Sequence, residues 1–292
     1  MESNASFRLT SDSLSCVVLF VRAVRSALED ECNTSLTCYR VLSHLANSAE
    51  GLTPGQLAAA TRLTPGSITM ALDRLSGDGL LKEAGKLKDA RSYLALISEK
   101  GRQRLQECDE AFLAAFNAFF EPLTADRMAE LLSGSLVTSS FFDETRFEEN
   151  RYFFQYSVLI GILLSEQFFT KATHAYDLGL GEYRVLMLLS EHPHANRPKH
   201  MRELLLAHPS ELSNWCKSLV SKGLLAKAPS PGDKRGFIYE LTADGEKTVE
   251  AVSTYVNAIS ERPIIASEVA IFNEMFRLLM DNARKAGGFG RG

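Results

Sequence analysis

The residues best suited to chemistry in this sequence are cations. Between 82 and 104 stand seven Lys or Arg against three acidic residues, in a chain whose formal net charge is −4. Such a stretch suits a local polyanion contact, because phosphate binding depends on neighbouring Lys and Arg rather than on net charge. An Asp-x-Arg triplet lies among these cations, Asp89-x-Arg91 in GKLKDARS, and a second, Asp233-x-Arg235 in PGDKRG, stands further along the chain. A polar turn of this kind is ordinarily just a solvated hairpin, in which the Asp pairs with the Arg or caps the turn. Catalytic chemistry has less support. No nucleophile, base and orienting group form a pattern, so an enzyme is not expected. His192, His194, His200 and His208 fall in and after a loop marked by Pro193 and Pro198, at a spacing that matches no metal site. Five cysteines, Cys16, Cys32, Cys38, Cys108 and Cys216, are odd in number and form no CxxC pair, which argues against a disulfide framework or a zinc site. No metal or cofactor is expected.

Composition sets the frame. With 292 residues, 45% apolar and 23% charged, the chain has room for two domains and a sizeable core. Its longest clean apolar run, Val158 to Leu164, is well short of the roughly 18 residues that span a bilayer. No membrane span is expected. The N-terminus lacks a basic segment followed by an apolar one, so the expected location is the cytoplasm.

The elements that must position the cations begin with a doubled phrase, Leu-Thr-Pro-Gly, in GLTPGQLAAATRLTPGSI. Thr53 suits a helix N-cap, Pro54 the first helical position, and Gln56 completes a capping box. Thr64 and Pro65 repeat the start, and Ile68, Ala71, Leu72 and Leu75 recur as one buried helical face. Two short helices are therefore joined by a tight turn at Arg62 and Leu63, the second ending near Gly79. A hairpin follows, LLKEA and SYLALI flanking the polar GKLKD. Upstream, helices are predicted over Ser11 to Glu29 and Leu36 to Asn47. Downstream, Leu105, Cys108, Phe112, Phe116 and Phe119 trace a long amphipathic helix, and Thr124 caps another to about Ser139.

The chain then repeats itself. At an offset of 144 residues, Tyr39-Arg40-Val41-Leu42 falls on Tyr183-Arg184-Val185-Leu186, Pro54 on Pro198, Pro65 on Pro209, and Leu75 on Leu219. Gly79-Leu80-Leu81 falls on Gly223-Leu224-Leu225, Asp89 and Arg91 on Asp233 and Arg235, and Gly101 on Gly245. Matching prolines at helix starts and glycines at helix stops make this a structural repeat. The second copy is predicted as helices over Arg146 to Ala175, Gly181 to Glu191, Pro198 to Leu206 and Pro209 to Lys222, a hairpin LLAKA…FIYEL, and helices to about Ala286. The domains are 1–142 and 143–286, with 287–292 a disordered tail. The fold class is mainly α with small β wings: two winged helix-turn-helix domains with long terminal helices.

This element order, with LTPGQLAAATRLTPGSITMALDRLSGDGLL and KDARSYLALISEKGRQRL in the first copy and PSELSNWCKSLVSKGLLAKAPSPGDKRGFIYELTADGEK in the second, resembles the MarR family of bacterial transcription regulators. The resemblance covers nearly the whole chain. It implies an intrachain pseudo-dimer, one polypeptide holding what is normally a homodimer. It implies that the second helix of each pair enters a major groove of double-stranded DNA while the wing reaches the backbone or minor groove, a mode the helix-terminal dipole and groove width permit. Ser67, Thr69, Met70 and Arg74 in the first copy, and Ser210, Ser213, Asn214 and Lys217 in the second, are then expected to face bases or phosphates. In the wings, Lys86, Lys88, Arg91, Lys234 and Arg235 are the candidate contacts. Family members commonly carry a basic residue where Met70 and Asn214 stand. Trp215, in the register of Ala71, is expected to pack between helices. Because the two helices differ, the operator is expected to be an imperfect palindrome, and the regulator a repressor.

MarR-like proteins often bind small, frequently phenolic, ligands, so a small aromatic effector is a further expectation, with His44, Phe112, Phe116, Tyr152, Tyr156, His174 and Tyr176 as its candidate lining. Some relatives sense oxidants through an N-terminal helix cysteine, and Cys16 lies in such a helix, although a free cysteine is more often a small buried hydrophobe. The alternative to a DNA reader is a winged-helix scaffold for protein interactions that has lost specific DNA binding.

Overall fold

The computed structural model describes residues 9–84, 94–142, 154–230, 236–257 and 263–287. The wing-tip residues Lys86, Lys88, Arg91, Lys234 and Arg235, the candidate Tyr152, and the tail after 287 lie outside the described residues. The first copy runs α1 (Ser11–Cys32), α2 (Leu36–Ala46), α3 (Pro54–Thr61), α4 (Pro65–Gly77), β1 (Leu81–Ala84), β2 (Leu94–Ile97), α5 (Glu99–Phe120) and α6 (Ala125–Phe142). The second runs α7 (Phe154–His174), α8 (Leu180–Glu191), α9 (Pro198–Leu205), α10 (Pro209–Ser221), β3 (Leu225–Pro229), β4 (Phe237–Leu241), α11 (Ala243–Asn257) and α12 (Pro263–Ala286). Among the described residues the fold is mainly helical with two antiparallel hairpins.

Local chemistry starts the helices where the sequence places them. Thr53 caps α3 through the Gln56 N–H at 3.2 Å while the Gln56 side-chain oxygen Oε1 accepts the Thr53 N–H at 2.8 Å, and Thr64 caps α4 through the Ser67 N–H at 3.2 Å. In the second copy Arg197 offers α9 no side-chain cap, and His208 caps α10, where the Glu211 carboxylate accepts the His208 N–H at 3.1 Å. Helix α1 runs about one turn past the expected Glu29, to the residue before Asn33.

The backbone carries the repeat as plainly as the sequence does. Among the described residues the non-glycine positions of positive φ are Asn33 and Asp177, before α2 and α8, and Arg62 and Leu206, which close α3 and α9. Each pair is separated by the 144-residue offset, as are Gly79 and Gly223, whose left-handed conformation follows the ends of α4 and α10. Beyond them a second shared joint forms. The Ser98 hydroxyl donates to the Gly79 carbonyl at 2.9 Å and accepts the Gly101 N–H at 3.0 Å, and Thr242 does the same with Gly223 at 2.7 Å and Gly245 at 3.0 Å. A Cβ on Gly101 or Gly245 would sit 2.2 Å from the carbonyl oxygen of Leu80 or Leu224, so this crossing of strand and helix admits no side chain.

In the hairpins Leu81 pairs with Ile97 and Ala84 with Leu94, Leu225 with Leu241 and Pro229 with Phe237. A residue ahead of the helix pair extends each hairpin edge, which sequence periodicity did not indicate. Leu52 exchanges both backbone hydrogen bonds with Ala95, and the Tyr239 N–H donates to Asn196 at 3.0 Å.

Two compact units result, and they do not divide at the repeat boundary. One draws its described residues from 21–119 and 154–155; the other from 9–20, 120–142, 156–230, 236–257 and 263–287. In the first, α2 packs on α3, α4 and β2, and Tyr39 and Phe112 lie 6.2 Å apart in a core with Phe116, Leu42, Leu57, Ile68, Leu72 and Leu75. In the second, α8 packs on α9, α10, α11 and β4, and α6 packs on α12. Burial on all sides of Val158 to Leu164 explains that unbroken apolar run.

Candidate nucleic-acid interface

In each copy the second helix of the pair buries one face and presents the other. Ile68, Ala71, Leu72 and Leu75 are the buried face of α4, and Leu212, Cys216 and Leu219 that of α10. The four candidates on α10, Ser210, Ser213, Asn214 and Lys217, are all exposed. On α4, Thr69, Met70 and Arg74 are exposed and Ser67 is half-buried.

Hydrogen bonding separates these side chains further. The Thr69 hydroxyl donates to the Pro65 carbonyl at 3.0 Å, and the Ser67 hydroxyl lies 2.9 Å from that of Thr64. Arg74 turns back, its Nη2 donating to the Asn33 carbonyl at 3.1 Å and side-chain oxygen at 3.3 Å. It thereby clips the left-handed turn before α2. Lys222, at the end of α10, clips the equivalent turn through the Asp177 carbonyl and pairs with Glu182 at 3.1 Å. Met70 is 75% exposed, the most exposed large apolar side chain among the described residues.

Position of α10 is set from beneath. Trp215 lies against Gly181 of α8, where a Cβ would come 2.2 Å from the indole, and the buried Arg184 guanidinium stands 5.7 Å from the ring centre. Arg184 Nη2 also donates to the Leu205 carbonyl at 2.6 Å, as Arg40 does to the Thr61 carbonyl at 2.5 Å in the first copy. A buried arginine thus takes up an orphan carbonyl at the end of α3 and of α9.

Charge near the two helix pairs differs in a way the sequence reading passed over. Helix α3, PGQLAAAT, has no cation, and its caps add only the exposed Arg62 at its C-terminal end. Helix α9 and its cap offer Arg197, Lys199 and His200, all exposed. Their signal in the sequence is the basic density of RPKHMR.

The effector candidates are distributed over both units. Phe112 and Phe116, ring centres 6.0 Å apart, are packed core. In the same unit His44 is half-buried on α2. In the other unit Tyr156 is buried on α7, while His174 and Tyr176 are exposed near its end. All five cysteines are buried and unbridged. Burial first, and Asp12 second, push the Cys16 thiol well above its ordinary value, which withdraws the thiolate that oxidant sensing requires. Among the described residues no group of three or more His, Cys, Asp or Glu is arranged to hold a metal ion, and no helix is long and apolar enough to cross a membrane.

A short helix pair with an outward second helix, followed by a β-hairpin and a long helix, is a winged helix-turn-helix, and the chain holds two. Family comparison agrees for both. The pattern of the MarR family matches residues 33–92, and that of the transcriptional regulator SarA/Rot matches 167–252. The chain is a tandem of two MarR-type winged-helix units, the fold of transcription regulators rather than of enzymes. No curated protein matches the sequence. Among solved structures, a MarR family transcriptional regulator from Rhodococcus sp. RHA1 is 24% identical over 44% of this chain and 87% of its own, with a TM-score of 0.39. CouR from Rhodococcus jostii RHA1, solved with p-coumaroyl-CoA, is 24% identical over 47% and 87%, with a TM-score of 0.34. Wild-type MarR from E. coli, in its apo form, is 22% identical over 38% and 81%, with a TM-score of 0.35.

Proposed function

We propose that this chain is a sequence-specific, double-stranded DNA-binding transcription regulator, acting as a repressor, in which residues 1–142 and 143–286 are the halves of an intrachain pseudo-dimer reading one imperfect palindrome. Helices α4 and α10 enter successive major grooves. Lys86, Lys88, Arg91, Lys234 and Arg235 contact the backbone or minor groove from the wings, and Arg197 and Lys199 add phosphate contacts to the second half. Half-sites lie about one helical turn, roughly 10 base pairs, apart.

The observation that carries the reading is the exchange of first-copy segments into the unit built on the second copy. Glu191 of α8 accepts the backbone N–H of Ser11 at 3.0 Å and its hydroxyl at 2.6 Å. Arg184 donates to the Ser15 hydroxyl at 3.1 Å, Asp12 pairs with Arg284 of α12, and Arg127 of α6 pairs with Glu274 at 3.1 Å. Terminal helices shared between two winged units are what a fused dimer requires. The outward faces of α4 and α10 support the groove assignment.

A small aromatic effector fits this reading if it enters among core rings such as Phe112 and Phe116 and loosens operator binding. The competing reading, an interaction scaffold, is favoured by the apolar Met70 on the outward face and by the net charge of −4. Gel shifts across a salt series separate the two. A DNA reader gives a sequence-specific shift whose affinity falls steeply with ionic strength, because each phosphate contact releases counterions. A scaffold gives no specific shift.

A further inference from the structure

We infer that the two reading helices recognise different base groups from the same helical position, Met70 packing on the C5-methyl of a thymine and Asn214 taking the N6 and N7 edge of an adenine. This rests on the reading above, that α4 and α10 enter major grooves.

The two residues are equivalent. Each stands six residues beyond its helix N-cap, Thr64 or His208, and the 144-residue offset relates them. Both face away from the buried side of their helix. Their surroundings then decide what each presents. Around Met70 the polar groups are occupied: Thr69 is bonded to the Pro65 carbonyl, Ser67 lies against Thr64, and Arg74 reaches back to Asn33. What α4 offers here is a thioether chain 75% exposed, without a donor. In a major groove its natural apolar partner is the thymine methyl, and an unbranched Met adapts readily to that surface. Around Asn214 the Ser210 hydroxyl is likewise held, 2.7 Å from His208 Nδ1, but the residue itself differs. Its amide makes no hydrogen bond among the described residues, and an Asn amide matches the donor and acceptor pair of adenine. Glu211, at the position of Ser67, is turned to the helix N-terminus by the His208 N–H. The operator therefore places a thymine in one half-site where the other carries an adenine, and a true palindrome is a poorer ligand than this mixed pair.

The test begins with selection of duplexes by the full chain from a random pool. Fluorescence anisotropy then follows binding as each thymine is replaced by deoxyuridine, which lacks only the methyl, and each adenine by 7-deazaadenine, which lacks N7. One deoxyuridine, confined to one half-site, is expected to weaken binding about fourfold, the value of one buried methyl. Met70→Ala should weaken the thymine duplex by a similar factor and the deoxyuridine duplex no further. One 7-deazaadenine in the other half-site should cost roughly tenfold, and that sensitivity should vanish in Asn214→Ala. If specific binding persists but no deoxyuridine matters, or Met70→Ala keeps the full methyl sensitivity, the inference is overturned while the DNA-reading function stands. If selection yields no preferred duplex, the function itself is overturned.

Discussion

Gly181 and Trp215 form one contact: the indole lies where the Cβ of any other residue at 181 would stand, at 2.2 Å. The equivalent positions in the first copy are Thr37 and Ala71, so bulk has moved from one side of the helix crossing to the other. Packing at such a crossing tolerates exchange of volume but not addition to it.

Gly181→Ala should therefore cost about 1–3 kcal/mol, the usual penalty for overpacking, although alanine favours a helix. The double variant Gly181→Ala with Trp215→Ala should recover part of that loss. Urea unfolding of the wild type, of Gly181→Ala, of Trp215→Ala and of the double variant checks it, and additive losses would show that the two side chains do not meet.

At the other joint, Gly101→Ala and Gly245→Ala should each destabilise the chain, because the added carbon meets a backbone carbonyl 2.2 Å away that cannot swing aside. Gly77→Ala is the control. Nothing lies within 4 Å of its Cβ position, so it should stabilise by up to about 1 kcal/mol. Thermal melts of the three variants give the comparison.

These contrasts show what local sequence could reveal. Thr53-Pro54 and Thr64-Pro65 announce helix starts because a cap and its partners lie within one turn. The recurrence of Gly101 and Gly245 was visible, but its cause, a carbonyl across a strand, was not. The left-handed Asn33, Arg62, Asp177 and Leu206 carry no glycine to mark them. Least legible was the grouping of 9–20 and 120–142 with the second copy, since it depends on partners such as Ser11 with Glu191 that stand far apart in sequence. For the interface, periodicity placed the outward faces of α4 and α10. It did not show that Arg74 would be drawn back to Asn33.

Stability should depend on pH through Asp109. Burial raises its carboxyl to about 6, against a favourable hydrogen bond from the Tyr39 hydroxyl at 2.7 Å, with Glu110 adding to the rise. The unfolded carboxyl titrates near 3.9. A raised folded value means the native state binds the proton more tightly, so this contribution is full below about pH 4 and lost as pH rises through about 6. Asp109→Asn removes the charge and keeps an acceptor for Tyr39. The variant should gain on the wild type as pH rises from 4 to 7, by of order 1 kcal/mol for a half-buried group. Denaturation midpoints at several pH values read the difference, and a constant gap would contradict it.

In the wings, Arg91→Ala and Arg235→Ala should weaken binding to all duplexes alike and reduce the slope of log affinity against log salt by about one each. A change in sequence preference with an unaltered slope would assign them to bases rather than phosphates.

The most direct measurement is a stoichiometric titration of a selected two-half-site duplex with the full chain, at concentrations far above the dissociation constant. A fused pair of unequal reading helices on one duplex predicts saturation at one chain per duplex. Saturation at two chains per duplex would show that each half-site recruits its own polypeptide, contradicting the pseudo-dimer.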